Sequence, residues 1–115
     1  TDMSFLFAAK TSFNDDISAW NVYAVTDMTS LFFGCALFNQ DISSWDVSSV
    51  TKMGNMFYQA TSFNQDIGSW DVSSGVTFAN MFQETTNFNK TIIEIWKIDT
   101  TTTINFCQTI RRPFW

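Results

Sequence analysis

The sequence contains no histidine, one proline, four glycines, two cysteines and only six basic residues. Without histidine there is no Ser-His-Asp or Cys-His catalysis, no imidazole general base and no His-ligated metal. The few glycines form no phosphate-cradling loop. Two cysteines in 115 residues do not make a disulfide framework. Six basic against eleven acidic side chains give a net charge of −5, the wrong sign for a nucleic-acid footprint or for docking on anionic lipid. No apolar run approaches the ~20 residues that a transmembrane helix requires. The chain opens at Thr1 without a Met, a basic segment or an apolar segment, so a signal peptide is expected to be absent or already removed.

What the sequence has in abundance is aromatic residues: 13 Phe, 5 Trp and 2 Tyr. Such a composition belongs to a packed domain rather than a disordered tail. The aromatics are periodic. Phe13, Phe38, Phe63 and Phe88 recur in steps of 25, as do Phe7, Phe32, Phe57 and Phe82. Ile17, Ile42, Ile67 and Ile92 keep the same step, and Trp20, Trp45, Trp70 and Trp96 follow at 25, 25 and 26. About four units cover the chain, with coils at roughly 1–12 (partial), 13–37, 38–62, 63–87 and a degenerate 88–115.

Each unit divides into two halves of different period. Val50, Met53, Met56 and Phe57 fall on one face of a helix, with Thr51 as an N-terminal cap repeated at Thr26 and Thr77. At eight to ten residues this helix is marginal alone and needs packing. Residues 63–67 alternate apolar and polar as a half-buried strand does, and Gly68-Ser69 follow as a bend. A strand, a corner and a short helix in 25 residues make one coil of an α/β architecture, a β/α solenoid whose stacked coils share a core. The expected core comprises Phe7, Phe32, Phe57, Phe82, Ile17, Ile42, Ile67, Trp20, Trp45 and Trp70.

The unit F-N-Q-D-I-S-S-W-D-V-S-S-V-T-K-M-G-N-M-F-Y-Q-A-T-S of residues 38–62 resembles the BspA-like, leucine-rich-repeat-type surface protein repeat, the DUF285 or mycoplasma lipoprotein class. The resemblance covers residues 1 to about 96 and departs at Gly75, which is inserted, and at Phe78, which replaces the first Met. It implies a right-handed solenoid of leucine-rich-repeat-like coils in secreted or surface-anchored proteins, where adhesion or protein interaction is the usual role. No enzyme activity and no cofactor are implied. The expected localisation is the cell surface or the extracellular space.

Stacked coils turn each register into a ladder with roughly 5 Å steps. Asn14, Asn39, Asn64 and Asn89 form one, read as a buried structural amide ladder. Asp16, Asp41 and Asp66 form an acidic ladder ending in Thr91; Asp46 and Asp71 form another, flanked by Asn21 and Lys97. Like charges at that spacing repel by about 0.8 kcal/mol in water, so the first ladder is a candidate calcium site. The alternative is that each Asp accepts backbone N–H bonds at a corner. Paired carboxylates also suit glycoside hydrolysis, but an acid and a base need different environments, which repetition does not provide.

The tryptophans are either a sugar-stacking stripe or core. One sequon, Asn89-Lys90-Thr91, falls on the asparagine ladder. Cys35 and Cys107 are expected to remain unpaired, three coils apart. The reading is a non-catalytic structural or protein-interaction module, partnered by a protein or by its own ends, without nucleic acid or membrane insertion. A carbohydrate- or calcium-dependent binding module and an accessory subunit of a larger assembly are the alternatives.

Overall fold

The computed structural model describes residues 1–74, 76–88 and 96. The 25-residue step sets the architecture: successive layers of chain pass through Asp2, Asp27, Lys52 and Thr77, which pair as isolated parallel bridges. The expected β/α solenoid does not form. Among the described residues there is no sheet, and Trp96 is the single helical residue; the rest is turns and extended connections.

The segment expected to be helical is instead a run of overlapping turns. In the second layer Leu31, Phe33 and Cys35 donate their N–H groups to the carbonyls three residues back, Met28, Ser30 and Phe32. The alternate amides Met28, Ser30, Phe32 and Gly34 donate to Lys52, Gly54, Met56 and Tyr58 of the next layer, at 2.7–2.9 Å. The first and third layers repeat this alternation. Positive φ at Phe5 and Ala9, Ser30 and Gly34, Asn55 and Gln59, and Asn80 and Glu84 is the local cause. A left-handed residue breaks the helical i→i−4 ladder. Asn adopts that conformation readily; Phe, Gln and Glu pay roughly 1–2 kcal/mol each, offset here by inter-layer hydrogen bonds. Met53, Met56 and Phe57 are still fully buried. The apolar spacing is correct for burial but its geometry is not helical.

The expected strand at 63–67 is extended chain without a backbone ladder. Asparagine side chains take the ladder's place. The N–H of Asn39 donates to Oδ1 of Asn14, and that of Asn64 to Oδ1 of Asn39, both at 2.9 Å. The threonines expected as helix caps also serve the stack: the hydroxyls of Thr26, Thr51 and Thr77 donate to the carbonyls of Thr1, Thr26 and Thr51.

The core is a double column of phenylalanines. Within each layer two rings lie face to face, Phe32–Phe38 at 4.0 Å and Phe57–Phe63 at 4.1 Å. Between layers Phe7, Phe32, Phe57 and Phe82 stack at 5.5–5.9 Å. Phe13, Phe38, Phe63 and Phe88 form the parallel column at 5.6–5.9 Å. Ile17, Ile42 and Ile67 are buried beside them, and Phe7 and Phe13 are half-buried at the first layer. Trp20 departs from its expected place in the core: it is 42% exposed, against 4% for Trp45 and Trp70. The indole N–H groups of Trp45 and Trp70 donate to the carbonyls of Ile17 and Ile42, 28 residues back, and the Trp20 indole has no acceptor among the described residues.

Cys35 is fully buried and its thiol donates to the carbonyl of Phe7 at 3.0 Å. Burial pushes this thiol up to about 11. Its expected non-partner, Cys107, lies outside the described residues. Of the expected last coil, 88–115, only Phe88 and Trp96 are described.

Phe57 meets Phe32, Phe63 and Phe82 at once. Its replacement by Ala is expected to cost about 3–5 kcal/mol, as large aromatic truncations in packed cores do. Urea titration checks this; a loss under about 1 kcal/mol would remove Phe57 from the cooperative core.

Candidate interaction surfaces

Most of the described acidic side chains serve the corners of their own layer, and Glu84 instead accepts from Tyr58 and Gln59 of the layer before it. Oδ1 of Asp16, Asp41 and Asp66 accepts the backbone N–H of Ser18, Ser43 and Gly68, two residues on, at 2.9 Å. Asp46 and Asp71 accept both the N–H and the hydroxyl of Ser48 and Ser73. Asn21 makes the same turn with the N–H of Tyr23, and Asp2 and Asp27 do so with Ser4 and Thr29. An Asx side chain that accepts the backbone N–H two positions on is thus the repeated corner chemistry.

The Ser18, Ser43, Ser48 and Ser73 side chains and N–H groups hold the carboxyls of Asp16, Asp41, Asp46 and Asp71 below the usual range, and Ser4 does the same for Asp2. The neighbouring carboxylates Asp16 and Asp71 push Asp41 and Asp46 the other way, more weakly. The calcium candidates Asp16, Asp41 and Asp66 are therefore exposed corner acceptors. No three acidic or thiol side chains come together as a metal-binding group among the described residues.

Asn14, Asn39 and Asn64 of the asparagine ladder are exposed rather than buried, and Oδ1 of Asn14 and Asn39 accepts the next layer's backbone N–H. Gln40 and Gln65 reinforce it: each Nε2 donates to both the carbonyl and Oδ1 of Asn14 or Asn39, at 2.9–3.1 Å. This glutamine clamp has a plain signal, the Gln that follows the ladder Asn in F-N-Q-D, which the sequence reading left unused. Asn89, Thr91 and Lys97 of the expected ladders lie outside the described residues.

The tryptophans do not offer a row of open faces. Trp70 and Trp96 stack at 6.2 Å, and the indole N–H of Trp96 donates to the carbonyl of Ile67. A shallow hollow lined by Gly68, Trp70, Asp71, Val72, Ser73 and Trp96 exposes only part of this pair.

The largest contrast between equivalent positions lies on the first layer's outer face. Leu6 is 46% exposed where Leu31 is 0%, and Phe5 is 61% exposed where Ser30 is 3%. The carbonyls of Asp27, Thr29, Leu31 and Phe33 each accept an N–H from the first layer. Their equivalents at Asp2, Ser4, Leu6 and Ala8 receive none from the described residues. The backbone N–H of Asn14 and the indole N–H of Trp20 likewise have no acceptor among the described residues. The row of four amide-to-carbonyl bonds recurs at three successive layer contacts among the described residues.

The corner carboxylates make stability depend on pH with a definite sign. The folded values of Asp2, Asp16, Asp41, Asp46 and Asp71 lie below the unfolded one of about 3.9, so their contribution is complete above that value and is lost as pH falls through the lower folded values. The melting midpoint is expected to be level from pH 7 to about 5 and to decline below about 4. Asp46→Asn keeps the turn, as Asn21 does in the same register, and is expected to flatten part of the decline. Thermal unfolding of both proteins across this range checks it; an equal decline in the variant would dissociate the corner from the acid sensitivity.

No curated protein and no solved structure matches this chain. A family model, described as a Mycoplasma protein of unknown function, DUF285, matches residues 1–111. Among the described residues, no helix is long and apolar enough to cross a membrane. The 25-residue register of the phenylalanine columns and the Asx corners lies within this match, and the chain belongs to the DUF285 family.

Proposed function

We propose that this chain is a non-catalytic structural or protein-interaction module, a segment of a surface or extracellular repeat protein that mediates adhesion or assembly. The observation that carries this reading is the stack of near-identical layers, built on parallel columns of phenylalanine and on a recurring Asx corner. The flanks support the same reading. Their Asn, Gln, Asp and Ser side chains stand in rows at the layer spacing, a rigid repetitive surface of the sort that repeat proteins use for recognition. Repetition also gives each carboxylate a similar setting, where an acid and base pair needs two different ones.

Antibody raised against the chain and applied to intact source cells tests the location. Labelling before permeabilisation is expected; labelling only afterwards overturns a surface role. Purified chain added in excess to the same cells is expected to reduce their aggregation by competing for the partner. Undiminished aggregation at saturating chain overturns adhesion and assembly.

A further inference from the structure

One outer corner carries apolar side chains that the repeat does not require. Phe32 and Phe38 touch within their layer at 4.0 Å, so residues 33–37 between them form a single corner, with Phe33 and Leu37 on its outside. The next layer closes the same corner between Phe57 and Phe63, at 4.1 Å, and places Tyr58 there. The rings of Phe33 and Tyr58 lie parallel, 8° apart at 5.0 Å, and both are half-buried. Leu37 is 55% exposed. The other layers fill the ring register with Ala8 and Gln83, and the Leu37 register with Ser12, Ser62 and Asn87. Both registers lie outside the hydrophobic core, so the stack is complete without apolar groups there.

The charge beside this corner is of one sign. Glu84, in the next layer, accepts from the Tyr58 hydroxyl at 3.4 Å and from Gln59 Nε2 at 3.1 Å, which fixes a carboxylate next to the ring pair. The described residues hold nine acidic side chains and two basic ones, Lys10 and Lys52. An apolar patch edged by a carboxylate on such a surface is matched by an apolar side chain next to a cation. It is mismatched by an acidic segment or by a second copy of this chain. We infer that the corner of Phe33, Leu37 and Tyr58, with Glu84, is a docking site for a protein segment that sets an arginine or lysine beside an apolar side chain. The inference rests on the protein-interaction reading above and names the partner's chemistry. Arginine fits best, since its planar guanidinium packs against aromatic rings and pairs with a carboxylate at once.

The repeat itself supplies conservative variants for the test. Phe33→Ala, Leu37→Ser and Tyr58→Gln each introduce the residue that another layer carries at the same register. Glu84→Gln likewise copies Gln59, which shares its left-handed backbone. A phage-displayed library of random peptides is selected on the immobilised chain and depleted on the variant combining the first three changes. The surviving peptides are expected to carry arginine or lysine next to an apolar side chain. Dissociation constants of their synthetic copies are expected to rise about tenfold in the combined variant and about fivefold in Glu84→Gln. Asp46→Asn, which removes a corner carboxylate elsewhere, is expected to change them by less than about twofold.

Absence of any peptide that distinguishes the two chains overturns the site, as do distinguishing peptides without a basic residue. An equal loss in Asp46→Asn overturns it too, by reducing the binding to overall charge. Self-association of the chain that the combined variant abolishes gives the corner a different occupant and overturns the proposed partner. Where the combined variant unfolds, Leu37→Ser alone decides: a loss of about threefold is expected, and an unchanged affinity overturns the site. These measurements use purified chain and peptides, so failure here is separate from the cell labelling and aggregation that test the functional reading.

Discussion

Ring-on-ring stacking at a fixed 25-residue step is the constraint from which the rest of the structure follows. Each phenylalanine in the double column must find a ring above and below it, with planes nearly parallel, 3° apart for Phe57 and Phe82. Aromatic pairs of this kind contribute about 0.5–1.5 kcal/mol beyond the area they bury. A layer of different length would put a polar side chain into the column. The sequence shows how strictly this holds. Gly75 is an added residue, yet Phe82 remains 25 residues from Phe57, because the position after Thr77 is lost. The bridge column absorbs the shift by pairing Thr77 with Lys52.

The backbone meets this constraint without regular secondary structure. A helix would direct every amide along its own axis, leaving none for the neighbouring layer. A strand would direct amides sideways but would not turn within a few residues. Overlapping turns with interleaved left-handed residues divide the donors, alternate amides closing a turn or reaching the next layer. On the opposite flank asparagine Oδ1 stands in for a backbone carbonyl, and a glutamine amide secures it. Both solutions keep the polar backbone paired while the apolar side chains face inward.

These solutions leave two kinds of surface. The flanks are rows of polar side chains already engaged within their own layer or with the next, and Asp41 and Asp46 are stabilised as carboxylates by Ser hydroxyls and amides. The end face is apolar and patterned. The function of the family is unknown, and contact with other macromolecules is the proposal made above.

The register, the pairing of Phe, Ile and Trp columns and the membership of the corner positions were legible in the amino-acid sequence, because a 25-residue period is visible without knowing the path of the chain. Val50, Met53, Met56 and Phe57 could be assigned to the core for the same reason. Their local conformation could not, since an i, i+3, i+6, i+7 pattern is met equally by a helix and by a run of turns. The choice rests on inter-layer hydrogen bonds that exist only once two layers are stacked. The asparagine column was visible, but its burial was misjudged: whether an amide bonds its counterpart or the next backbone N–H depends on how far the side chain stands from the core. Trp20 and Trp45 are likewise the same residue in the same register. Tertiary contact alone makes one exposed and the other buried, because burial in a stack belongs to the neighbouring layer and not to the residue.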